Sequence, residues 1–131
     1  MKQISRSILL GLACLMSLSV ANARNPGQPV VTVPGIYENF TVGKGSGDLE
    51  GMRVVIVPAG GGFYAIVQIA QGGAEDPKPE FVAAEVKGKS VSFTIGAAKY
   101  TGIVNATGMT VKDSGGQTKT LKRKACTAYF K

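Results

Sequence analysis

Residues 52–71 read Met-Arg-Val-Val-Ile-Val-Pro-Ala-Gly-Gly-Gly-Phe-Tyr-Ala-Ile-Val-Gln-Ile-Ala-Gln. Two β-branched apolar runs meeting at Pro58 and the triplet Gly60, Gly61 and Gly62 predict a central β-hairpin, with arms over 49–57 and 63–71. Phe63, Ala65, Val67 and Ile69 share one face of the second arm, while the other face begins with Tyr64 and Ile66 and ends with Gln68. Apolar residues on both faces predict burial on both sides near the tip. Residues 90–95 alternate most cleanly, with Val91, Phe93 and Ile95 expected inside and Ser90, Ser92 and Thr94 outside.

The rest of the chain repeats this grammar of short strand and turn. Further strands are expected over 35–42, 81–86, 100–105, 109–112 and 117–124, with Tyr100, Gly102 and Val104 on one face of their strand. Residues 43–48 and 72–79, rich in Gly, Pro and polar residues, are expected loops, and 113–116 a turn. Residues 24–34 carry Pro26, Pro29 and Pro34 and predict an extended lead-in with at most an edge strand. No window after the first 23 residues holds a helical period. Eight strands spaced about ten residues apart predict an all-β, antiparallel up-and-down meander forming a small β-barrel over 35–131, with a two-layer β-sandwich as the alternative. Closure is favoured because it removes both sheet edges.

The first 23 residues change the picture of where the protein works. Lys2 and Arg6 precede an apolar run over 8–20, and Ala21-Asn22-Ala23 supplies a small-x-small cleavage site. This pattern predicts a secretory signal peptide and a periplasmic or secreted protein, not a transmembrane one, since a spanning helix needs about 20 apolar residues. A lipoprotein reading at Cys14 lacks the aliphatic residue expected three places upstream. Cleavage leaves 131 − 23 = 108 residues with charge (15 − 2) − 8 = +5. The mature chain keeps one cysteine, Cys126, so no internal disulfide forms and the thiol is buried, reactive or paired with another molecule. The sequons at Asn39 and Asn105 are read as coincidence in a bacterial exporter.

Candidate chemistry is sparse. With no histidine, the commonest general base and metal ligand are missing. No catalytic residue, metal site or cofactor is expected. Asp48 and Glu50, two apart at a strand start, and the Glu75-Asp76 pair read as solvated loop acids before they read as a catalytic pair. The glycines at 43, 45 and 47 lack the Gly-Lys-Ser/Thr ending and following helix of a phosphate loop. Lys119, Lys122, Arg123 and Lys124 form a basic strand, with Lys131 in the tail, a candidate surface for an anionic polymer, lipid headgroups or an acidic protein. Nucleic acid is not expected as a partner of an exported chain without Trp. The aromatics Tyr37, Phe40, Phe63, Tyr64, Phe81, Phe93 and Tyr100 either fill the barrel or line a cavity. For a small apolar ligand the candidate lining is Tyr37, Phe63, Ala65, Phe93 and Tyr100, with Ala83, Gly51 and Gly102 leaving room if they point inward.

Val86-x-Gly88-x-x-Val91-x-Phe93, Tyr100-x-Gly102-x-Val104-x-x-x-x-Met109, Gly116 and Leu121-x-Arg123 together resemble a pattern in small exported bacterial β-meanders of lipocalin-like build. The resemblance implies a compact barrel. Some periplasmic barrels of related build inhibit lysozyme, but their Ser/Tyr-rich motif and cysteines are not evident here, so no inhibitory residue carries over. The expected function is a non-enzymatic envelope binding protein that engages a protein or an anionic surface, with a lipocalin-like carrier of an apolar ligand as the alternative.

Overall fold

The computed structural model describes residues 31–73 and 75–126. Among the described residues nine strands follow one another: β1 (Gly35–Glu38), β2 (Thr41–Val42), β3 (Leu49–Ala59), β4 (Gly62–Gln71), β5 (Glu80–Lys87), β6 (Ser90–Ile95), β7 (Ala98–Val104), β8 (Gly108–Asp113) and β9 (Thr118–Lys124). Each of β3 to β8 pairs antiparallel with its successor, and β1 pairs with both β9 and β3, so the sheet closes. The result is an up-and-down barrel of eight strands, with β2 as a short ninth strand attached to β3 alone.

Local chemistry explains the tight corners. The β3–β4 hairpin turns on Gly60 and Gly61 with φ of 59° and 81°, the two left-handed positions that a two-residue turn of this hand demands. The hairpin's tip differs from expectation. Pro58, Ala59, Gly60 and Gly61 are exposed, and Val55, Val57, Tyr64 and Ile66 are half-buried, because the outer face of a single closed layer has no second layer to cover it. The strand expected over 35–42 is also interrupted, at Asn39 and Phe40, and residues 31–34 form no strand.

Register fixes which side chains face the interior. Tyr37 lies opposite Val54, Val54 opposite Val67, Ala65 opposite Val82, Ala84 opposite Phe93, and Phe93 opposite Tyr100. These inward positions build one core, in which Tyr37, Met52, Val54, Ala65, Met109 and Leu121 reach zero exposure. The aromatic set therefore divides. Tyr37, Phe63, Phe93 and Tyr100 point in, whereas Phe40, Tyr64 and Phe81 lie at outward positions and do not join the core.

The two barrel ends differ. At the end carrying the β3–β4, β5–β6 and β7–β8 turns, residues 31–34 fold across the opening. The Tyr37 hydroxyl donates to the Val33 carbonyl, and Val33 is buried. Arg123, inward on β9, donates to the carbonyls of Thr32 and Pro34 and, at 2.7 Å, to the Tyr37 hydroxyl. The opposite end carries the loops after β2, β4, β6 and β8. There the inward positions turn polar, with Glu50, Gln71, Glu80, Asp113 and Lys119 at the rim.

Candidate binding surfaces

The inward positions build the core, and strand register divides the outside of the barrel into two faces. On β6 to β9 the outward positions are Ser90, Ser92 and Thr94, then Lys99, Thr101 and Ile103, then Gly108, Thr110 and Lys112, then Thr118, Thr120, Lys122 and Lys124. Several hydroxyls sit opposite hydroxyls or lysines: Thr110 faces Thr120, Thr101 faces Lys112, Lys112 faces Thr118 and Thr94 faces Lys99, while Ile103 lies between Ser90 and Thr110 and Ser92 faces Glu85 of β5. No carboxylate occupies an outward position on these four strands.

The face over β1, β3, β4 and β5 is the reverse. Ile36, Val55, Ile66 and Phe81 form one cross-strand row, and Val57, Tyr64 and Ala83 form the next. Tyr64 stacks on Phe81 with centroids 5.0 Å apart, and Phe81 is 63% exposed. A polar belt borders this face. Glu38 accepts from Arg53 at 2.8 Å and meets Lys124 at 3.4 Å, Arg53 donates to Gln68 at 2.9 Å, and Gln68 donates to the Pro77 carbonyl at 2.8 Å. The Arg53 guanidinium also covers the Phe40 ring at 4.9 Å.

The basic strand read from the sequence is split by its own alternation. Lys122 and Lys124 point outward, while Lys119 and Arg123 share the inward side with Leu121. Arg123 is committed to the plugged end, where its guanidinium lies 4.9 Å over the Tyr37 ring. Burial pushes the Tyr37 hydroxyl above its ordinary value, and Arg123 partly opposes that shift. Lys99 and Lys112, which the sequence reading passed over, join Lys122 on the outer face. Their signal was present in the chain, since Lys99 lies at an odd interval from the inward Tyr100 and Gly102.

The candidate cavity residues Tyr37, Phe63, Ala65, Phe93 and Tyr100 all point inward, the first, third and fourth buried and the other two half-buried. Of the small residues, Gly102 and Ala65 point inward and Ala83 outward. The space beside Gly102 is occupied: a Cβ built there would lie 2.7 Å from the Met109 sulfur. Burial, together with Asp113 and Glu80, raises the Tyr100 hydroxyl above its ordinary value.

The remaining chemical groups are dispersed. Asp48 precedes β3 in the loop, and Glu50 stands exposed at the rim. Among the described residues no three His, Cys, Asp or Glu side chains gather as metal ligands, and no helix is long and apolar enough to cross a membrane. Cys126 is a free, exposed thiol. Asn105 organises the β7–β8 turn, its side-chain oxygen accepting from the Thr107 hydroxyl and the Thr107 and Gly108 amides. The expected signal segment, the lead-in before residue 31, and Lys131 lie outside the described residues.

Two clefts mark places where strand pairing stops short. One of about 520 Å³ lies where β5 and β6 separate, beside Ala83, Ala84, Ser92, Phe93 and Thr94. The other, of about 330 Å³, lies between β9 and the 39–42 segment, beside Phe40, Thr41, Thr120, Lys122 and Lys124. No family model matches the chain, and no curated protein and no solved structure matches it either.

Proposed function

We propose that this chain is a non-enzymatic, exported envelope protein that binds an anionic partner through the outward face of β6 to β9. One observation carries the reading: Lys99, Lys112, Lys122 and Lys124 share that face with hydroxyl side chains and no carboxylate. Lys124 is engaged by Glu38 and Lys99 lies within electrostatic reach of Glu85 on β5, so Lys112 and Lys122 carry most of the local positive potential, and the flanking hydroxyls add hydrogen-bond donors that suit carboxylate, sulfate or phosphate oxygens. Lysine presents a hydrated point charge without a fixed fork, which fits a repeating or diffuse anion better than one planar group. The periplasmic or secreted location rests on the Lys2, Arg6 and Ala21-Asn22-Ala23 pattern.

An interior site for an apolar ligand, the lipocalin-like alternative, has less to recommend it. The inward side chains already touch one another, and the opening at one end is crossed by residues 31–34 held to Tyr37 and Arg123.

Co-sedimentation with vesicles containing phosphatidylglycerol, against vesicles of phosphatidylcholine alone, tests the reading. Binding is expected to the anionic vesicles only, to weaken as salt rises, and to be lost when Lys99, Lys112 and Lys122 are all replaced by serine. Equal binding by that triple variant would overturn it.

A further inference from the structure

The seam between β9 and the N-terminal strand is built to stay open. β1 pairs with β9 through Ile36 with Lys124, Tyr37 with Arg123 and Glu38 with Lys122. Pairing then ceases although both strands continue, β9 towards Thr118 and the N-terminal strand towards Val42. The cause lies at the next ladder step. The Asn39 amide donates to the Met52 carbonyl at 3.0 Å, but the Met52 amide donates to the Asn39 side chain at 2.8 Å rather than to its backbone carbonyl. That carbonyl lies over Gly51, 2.7 Å from where a Cβ would stand, and Gly51 has a φ of 116°. A left-handed glycine and a side chain standing in for backbone bend the N-terminal strand onto β3. Beyond Glu38 it follows β3 and leaves β9.

The edge so exposed has defined polarity. The Arg123 amide donates to Thr107 on the β8 side. Amides alternate along a strand, so those of Thr118 and Thr120 face the opposite way, into the seam. Among the described residues, 118–121 have a strand neighbour only on the β8 side. The charge around the cleft is positive. Glu38 is already engaged by Arg53 and Lys124, whereas Lys122 enters no ion pair among the described residues. Phe40 supplies apolar surface on the facing wall.

We infer that this seam is a strand-addition site, and that its occupant is an extended segment of a partner protein with acidic residues at alternate positions. Unpaired strand amides and carbonyls give such a segment main-chain hydrogen bonds. Its outward side chains would meet Lys122 and Phe40, and the inward ones would lie on the side of Leu121, so acidic and apolar residues should alternate. The inference rests on the anionic-partner reading for its charge, through Lys122 and Lys124, and goes beyond it in requiring backbone pairing with β9.

The test measures binding of a fluorescent peptide of alternating glutamate and valine by anisotropy, using the full mature protein. Two further peptides carry N-methyl groups on every valine or on every glutamate, each blocking one strand edge. The parent peptide should bind, one methylated peptide should bind at least about tenfold more weakly and the other should not, as expected for losing a pair of hydrogen bonds. Lys122→Glu should weaken the parent similarly. Thr120→Pro, which removes a seam-facing amide while sparing the β8 ladder, should do the same if it folds. Equal binding by all three peptides would overturn the inference and leave the lysine face standing as an electrostatic surface. Failure of every peptide, with vesicle binding intact, would also overturn it, in favour of a lipid partner. Failure of peptides and vesicles together would remove both readings.

Discussion

Arg123 lies over the ring of Tyr37, 4.9 Å from its centre, while donating to the hydroxyl of the same residue at 2.7 Å. One side chain thus ties the last strand to the first and both to residues 31–34. Arg123→Ala is expected to destabilise the barrel by about 2–3 kcal/mol through loss of charge-assisted hydrogen bonds, and to leave binding to anionic vesicles unchanged in the folded fraction. Urea unfolding beside co-sedimentation checks both halves. A variant of wild-type stability that no longer binds would return Arg123 to the binding surface.

The interior leaves no slack at Gly102. A methyl group there must displace the Met109 sulfur, so Gly102→Ala should cost about 1–3 kcal/mol. Shortening the neighbour in Gly102→Ala/Met109→Val should recover part of that loss, which a thermal-melt comparison of the single and double variants would show. Two independent losses that simply add would mean that the two residues do not share the space.

Two stacked aromatic pairs distinguish inside from outside. Phe93, buried against Tyr100 at 5.4 Å, should cost about 3–5 kcal/mol on truncation to alanine. Phe81 stacks as closely on Tyr64 but stands largely in solvent, and Phe81→Ala should cost no more than about 1.5 kcal/mol. Denaturation midpoints of the two variants rank them. A comparable loss at Phe81 would place a covering element over the apolar outer face.

Alkaline pH should weaken the fold. Tyr100 is raised above 10.0 by burial first and by Asp113 and Glu80 next. A folded-state value above the unfolded one contributes stability that is complete below the unfolded value and is lost as pH rises through the folded one. Melting temperature should therefore fall above pH ~10. Tyr100→Phe should flatten that fall while changing the neutral-pH melt little; a fall of unchanged steepness would assign it to other groups, Tyr37 among them.

The proposed export makes a direct prediction about mass. The protein recovered from its own compartment should begin at Arg24, and intact-mass measurement reads this without labelling. A chain retaining residues 1–23 would contradict cleavage after Ala23.

Much of the barrel was legible because its strands obey a period of two against a sharp polar contrast. β6 occupies the expected 90–95, with Val91 and Phe93 buried and Ser90, Ser92 and Thr94 outward. Where contrast failed, so did the reading. Val55, Val57, Tyr64 and Ile66 are apolar at outward positions, so alternation could not set their side, and they read as doubly buried. On β9 almost every residue is polar. Only Leu121 marks the inward side, and counting by twos from it would have sent Lys119 and Arg123 inward. The break at Asn39 was hidden for another reason: it depends on Gly51, twelve residues away, and on a side chain replacing a backbone acceptor, which no local pattern records.

The plugged end has a bearing on how the molecule can be held. Residue 31 enters and Cys126 leaves at that same rim, while the loops after β2, β4, β6 and β8 and both open clefts lie towards the other. A tether fixed at either place would therefore orient every molecule alike, standing on its plug with the loops and seams presented to the surroundings. Coupling through the exposed Cys126 thiol to a maleimide support offers a uniform display of that opposite rim.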